Sequence, residues 1–111
     1  MAINHWSHAN AFADAELPDE GLESEAFDTH YGNSVQAFGT SEVPVVLQAS
    51  MDGEHWFNAI RAEPDSDGHF HLIQGDWVAR YARLCVPALE RPWPGGDGRP
   101  RITATLLGKT V

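Results

Sequence analysis

One cysteine, Cys85, is the whole thiol content of a 111-residue chain. An internal disulfide framework is therefore excluded. Within RLCVPAL the thiol reads as a small buried hydrophobe on a strand. A nucleophile would need a base and an orienting group, and no neighbour in the sequence offers either. No apolar run approaches the roughly 20 residues that a membrane-spanning helix needs. The opening MAINHWSHANAFADAEL has no basic n-region and no apolar h-region, so a secretory signal is not expected there. Synthesis and residence in a cytoplasm are expected, unless a particle carries the chain out. There is no G-x-S-x-G, no P-loop and no C-x-x-C. No segment keeps helical periodicity over three turns, and no repeat of solenoid or propeller length occurs. With no catalytic constellation in view, an enzyme is not expected and no cofactor is implied.

Lysine and arginine are missing from residues 1–60, which hold ten acids. Residues 61–111 hold six acids and seven Lys or Arg, and the chain totals −9. Such a chain is repelled by nucleic acid and by anionic membranes, so neither is an expected partner. The acids concentrate between Asp14 and Asp28. A solvated face that maintains solubility explains them. So does an arm that docks on a basic surface of another protein or of a neighbouring copy.

What is present in quantity is alternation. At 42% hydrophobic the chain is long enough for one domain with a modest core. LESEAFD (22–28), SVQAFG (34–39), VPVVLQASM (43–51), HWFNAIRA (55–62), HFHLIQ (69–74), VARYARLCV (78–86) and RITATLLG (101–108) read as strands, separated by turn residues. Asp52-Gly53 is a two-residue hairpin signal, because Gly accepts φ > 0 at no steric cost and Asp tolerates it. Asp65-Ser66-Asp67-Gly68 starts like a calcium loop, but Phe70 stands where that loop needs glycine, so a hairpin turn is the better reading. The expected fold is all-β, an antiparallel β-sandwich or jelly roll of about 7–8 strands with an irregular N-terminal arm. The arm is residues 1–20 and the sandwich residues 21–111.

The site candidates are aromatic rather than catalytic. His69 and His71 share one strand face, but a metal centre would need further ligands that no spacing supplies, so no metal is expected. His5 and His8 are no better placed. Trp56 is expected in the core and Trp77 at the sandwich end. Trp6 and Trp93 lie in irregular segments, where tryptophan is a frequent anchor of protein interfaces and also a stacking surface for sugar rings. The candidate partner-binding residues are Trp6, Phe12 and Glu16 in the arm, and Trp93 and Pro94 in the PWPGGDG loop.

Three pieces taken together resemble a known pattern: Ser50, Asp52, Gly53 and Trp56; then Arg80, Tyr81 and Arg83; then the closing strand from Ile102 to Gly108. The order strand, S-x-D-G-x-x-W, R-Y-x-R strand, last strand is similar to two groups, over about residues 33–108. One is the discoidin-type, galactose-binding-like jelly roll. The other is a class of small tailed-bacteriophage virion proteins that includes head-decoration and minor structural proteins. Discoidin domains run longer and carry a disulfide, which sets this chain nearer the phage group. The resemblance implies a decoration (cement) protein of the capsid surface, a homo-oligomer such as a trimer, with the major capsid protein as partner. The alternative it implies is a carbohydrate-binding module or a tail- or neck-associated adhesion protein. One of Arg80 and Arg83 is expected near the sandwich interior or edge, paired with a carboxylate.

Overall fold

A computed structural model of the chain describes residues 5–29, 34–89 and 100–110, with the backbone alone for 5–9 and 109–110. The described residues hold nine strands and no helix: β1 (His5–Glu16), β2 (Leu22–Glu23), β3 (Phe27–Asp28), β4 (Ser34–Ser41), β5 (Val45–Ser50), β6 (Phe57–Ala62), β7 (His69–Gly75), β8 (Tyr81–Val86) and β9 (Arg101–Thr110). They form two antiparallel sheets. The first has the order β1-β9-β4-β7, and the second β2-β8-β5-β6 with β3 also on β8. The expected β-sandwich is present.

Alternation decides which side chains meet between the sheets. From the first sheet, Val35, Ala37, Phe70, Leu72, Ile102, Ala104 and Leu106 point inward. From the second, Val45, Leu47, Ala49, Ala82, Leu84 and Val86 face them. Each large member removes enough apolar surface from water to contribute about 1.5–3 kcal/mol. Trp77 and Ala79, just before β8, close one end of this core.

The N-terminal segment differs from the expected irregular arm. Residues 5–16 form the edge strand of the first sheet, with His5 opposite Thr110 and Glu16 opposite Arg101. Two register shifts, between Asn10 and Phe12 and between Phe12 and Ala15, break the strand's alternation. That is why no period shows in the sequence. At the second shift Asp14 has φ 49°, and its N–H donates to Thr103 Oγ1 at 3.1 Å.

Two turns also differ in kind. β5 and β6 pair as a hairpin, but six residues join them rather than a tight pair. Asp52 organises this loop: its Oδ1 accepts from the N–H groups of Glu54 and His55, both at 2.8 Å, and from Ser50 Oγ at 3.0 Å. Gly53 has φ 81°, and a side chain there would also meet the Tyr81 ring at 3.5 Å. The turn at 65–68 is built the same way, with Asp65 Oδ1 accepting from the N–H groups of Asp67 and His69. It is not a hairpin, because β6 belongs to the second sheet and β7 to the first. The turn carries the chain from one layer to the other.

Candidate interaction surfaces

The outer face of the second sheet is wired across its strands. Arg83 projects outward from β8, because Ala82 and Leu84 on either side face the core. Its Nε donates to Gln48 Oε1 on β5 at 2.7 Å, and Gln48 Nε2 donates to Asn58 Oδ1 on β6 at 2.9 Å. On its other side Arg83 forms an ion pair with Glu23 of β2. One polar ladder thus crosses β2, β8, β5 and β6. The Trp56 ring packs on the same guanidinium, 4.2 Å from Arg83 Cζ to the ring centroid. Trp56 is therefore half-buried on the outside, not in the core as its sequence position suggests. Arg80 pairs with Asp28 at 3.4 Å and lies 5.2 Å from the Tyr81 ring centroid. Both arginines meet carboxylates, and neither enters the core.

Cys85 occupies the neighbouring outward position and is half-buried. Burial pushes its thiol pKa up, and the Glu23 carboxylate adds to the shift, so the thiol stays protonated and unreactive at neutral pH. At the head of this face Asp52, Glu54 and His55 bring three exposed ligand-type atoms within 4.8 Å of one another. The Asp52 carboxylate is already engaged there. His55 contributes its N–H and a ring nitrogen, Nδ1 at 2.6 Å, and Glu54 and Ser50 donate as well. These bonds hold its pKa far below the usual carboxylate range. The grouping is accounted for as a loop staple.

The outer face of the first sheet is different. Phe38 on β4 is 42% exposed and Ile73 on β7 is 57% exposed. The register sets Phe38 opposite His71 and Thr105, and Gln36 opposite Ile73 and Leu107. Phe38 therefore lies diagonal to both Ile73 and Leu107 on one face. His71 meets the Phe38 ring edge-on, with centroids 6.4 Å apart, and its Nε2 lies 3.3 Å from Gln36 Oε1. His69 and His71 face outward on this sheet, and no third metal-type ligand accompanies them among the described residues.

A third surface lies where the two sheets part. The edge strand β1 and the interrupted edge β2–β3 flank a cleft of about 430 Å³. Its floor is Phe12, Leu22, Phe27 and Leu106, and three acids, Glu23, Glu25 and Asp28, line it as well. The edge is interrupted because Ser24 takes over a rung with its side chain. The Leu84 N–H donates to Ser24 Oγ at 2.9 Å, and the hydroxyl donates to Glu25 O at 3.1 Å.

The expected partner-binding residues are scattered by this geometry. Trp6 lies in β1 with its backbone opposite Lys109. Phe12 is 6% exposed, a core residue and the cleft floor, so it is no projecting contact. The shift of register on either side of it turns it inward. Glu16 is exposed and meets Arg101 Nη1 at 3.6 Å, beside the Arg101–Asp14 pair at 2.8 Å. Trp93 and Pro94 lie outside the described residues. Sequence reasoning missed Phe38, Ile73 and the Arg83–Trp56 pair. Alternation in SVQAFG and HFHLIQ marks Phe38 and Ile73 as opposite in phase to Val35, Ala37, Phe70 and Leu72, and that phase was the available signal.

No family model matches the chain, and no curated protein sequence does. Two solved structures are similar in fold. One is YomS, a protein derived from the SPBc2 prophage, with TM-score 0.50, 11% identity and 97% of both chains covered. The other is a mutant of CBM29-2, a family 29 carbohydrate-binding module, with TM-score 0.45, 14% identity, and 96% of this chain and 92% of that one covered.

Proposed function

We propose that this chain is a structural protein of a bacteriophage particle that binds the assembled shell as a decoration protein. The observation that carries this reading is the outward apolar row of Phe38, Ile73 and Leu107 on a sheet with no covering layer among the described residues. The prophage origin of YomS, whose fold extends over 97% of both chains, supports it. The chemistry is binding by surface burial, with no reaction and no cofactor. Each copy adds interface area, about 25 cal/mol for every Å² of apolar surface removed from water. Many copies then stabilise the assembled shell by mass action, since they bind the closed lattice and not its separated subunits. The partner is the major capsid protein, contacted by the sheet face and not by a loose arm, because β1 is built into the first sheet. Self-association into a closed cyclic oligomer on the shell, a trimer at a three-fold position, belongs to the same reading.

The test is co-sedimentation of the purified chain with assembled shells of the source phage. Phe38→Ser with Ile73→Ser is expected to abolish pelleting, while wild-type chain pellets to saturation. Wild-type chain that stays in the supernatant at every shell concentration rejects the reading.

A specific observation favours a second reading, a glycan-binding module. The Trp56 ring sits beside planar polar groups from Arg83, Gln48 and Asn58 on one sheet face, and aromatic planes with fixed hydrogen-bonding groups suit sugar rings. A glycan array with wild-type chain and Trp56→Ala separates the two. Saturable sugar binding lost in Trp56→Ala selects the module.

A further inference from the structure

The cleft between β1 and β2–β3 lies between the edges of the two sheets and shares Glu23 with the polar ladder of the second. It has three properties together. Its floor is apolar, from Phe12, Leu22, Phe27 and Leu106. Its lining includes three carboxylates and no Lys, Arg or His. Its two walls are sheet edges: among the described residues β1 pairs only with β9, and β2 and β3 pair only with β8. Edge strands present a row of backbone N–H and C=O groups toward whatever lies alongside.

Charge sharpens the reading. Residues 5–29 hold seven acids and no Lys or Arg. Three arginines reach this region from neighbouring strands: Arg101 to Asp14 and Glu16, Arg80 to Asp28, and Arg83 to Glu23. Seven carboxylates against three guanidinium groups leave residues 5–29 net negative, although two of the cleft's own three acids, Glu23 and Asp28, are among those paired. Glu25 and Ala26 stand exposed where the Ser24 hydroxyl bond breaks the strand.

We infer that this cleft binds an extended basic peptide segment of a partner protein, laid along the β2–β3 edge with alternate apolar side chains on the Phe12 floor. Lysine or arginine at the intervening positions meets Glu23, Glu25 and Asp28. A strand alternates its side chains between two faces, so one extended segment can satisfy floor and rim at once. Backbone bonds to the edge give affinity, and pocket and rim give selectivity. The inference rests on the particle reading for the source of the peptide, a segment of the shell, but not for the binding itself.

The experiment uses the full purified chain and fluorescein-labelled synthetic peptides of about ten residues, an extended length that more than spans residues 22–28. One peptide alternates lysine and leucine, a second lysine and serine, a third glutamate and leucine. Anisotropy titrations are expected to show saturable binding of the lysine–leucine peptide, at least about tenfold weaker binding of the lysine–serine peptide, and none of the glutamate–leucine peptide. Glu25→Lys is expected to weaken the first peptide about tenfold. Ala26→Trp, which fills the cleft from an exposed position, is expected to abolish binding with an unchanged melting curve. Amide shifts in a two-dimensional NMR titration are expected along 10–12 and 22–28. Equal binding of the lysine–leucine and lysine–serine peptides would reduce the effect to bulk charge and overturn the inference. So would undiminished binding to Ala26→Trp, shifts confined to Phe38 and Ile73, or no binding at all. Failure here leaves shell co-sedimentation untouched, and failure of co-sedimentation leaves peptide binding untouched, so the two outcomes are distinguishable.

Discussion

The two outer faces of the sandwich use the same strand geometry to opposite ends. On the second sheet, Glu23, Arg83, Gln48 and Asn58 satisfy one another across four strands, with Trp56 stacked on the guanidinium. On the first sheet, Phe38 and Ile73 stand in solvent, with His71 edge-on to the Phe38 ring and 3.3 Å from Gln36. A face whose polar groups are mutually bonded holds strands together. A face with uncovered apolar rings offers free energy only to something that covers it. The second sheet has the greater need of internal wiring, since β2 and β3 are two residues each and present few backbone rungs. The first sheet has strands of seven to twelve residues and holds its register through the backbone.

The largest effect comes from breaking the backbone register of the first sheet. Gly39 on β4 packs so closely on β9 that a side-chain carbon would sit 1.9 Å from the Thr103 carbonyl oxygen. Gly39→Ala is expected to cost about 3 kcal/mol or more, read as a lowered midpoint in urea unfolding. A change below about 1 kcal/mol would mean that β4 and β9 are not in this register. Next is the ladder of the second sheet. Arg83→Ala leaves Glu23 and Gln48 without their partner and uncovers Trp56, at an expected cost of about 1–3 kcal/mol. A shift in Trp fluorescence should accompany the loss. If Arg83→Ala were neutral, the wired face would contribute nothing to the fold.

A smaller effect is read by pH. Hydrogen bonds from His55 and Glu54 lower the Asp52 pKa, Arg101 lowers that of Asp14, and the His69 N–H lowers that of Asp65. A carboxylate whose folded pKa lies below its unfolded value adds stability above the unfolded value, about 3.9 for Asp. That stability is lost as pH falls through the folded value. Denaturant midpoints are therefore expected to fall as pH drops below about 4, and Asp52→Asn is expected to flatten part of that fall. An identical acid slope in wild type and Asp52→Asn would contradict the loop staple. The smallest effect on stability belongs to the first sheet's outer face. Phe38→Ser with Ile73→Ser is expected to change unfolding free energy by no more than about 0.5 kcal/mol per site, as for exposed positions generally. The same pair is expected to abolish shell binding, so the two readouts diverge only if this face serves a partner.

The sequence shows most strands plainly, because Val35, Ala37, Leu72, Leu84 and Ile102 fall in phase with buried positions. The β1 strand was hidden because two register shifts erase its period. The break between β2 and β3 was hidden because it depends on Ser24 finding the Leu84 N–H, a partner 60 residues away. Trp56 reads as core from its place beside a strand, whereas its ring lies against Arg83 of β8, a partner 27 positions away in the sequence. Trp6, chosen for its irregular flanks, and Phe12, chosen as part of the arm, fall on a paired strand, since irregular sequence here means bulged strand and not free arm. The exposed row on the first sheet was legible in principle, as the out-of-phase apolar residues Phe38 and Ile73 of two alternating segments.

The most direct measurement is quantitative mass spectrometry of density-gradient-purified particles from the source culture, comparing this chain with the major capsid protein. A copy number comparable to that of the major capsid protein is the result expected of a shell decoration. Absence from the particles would contradict it.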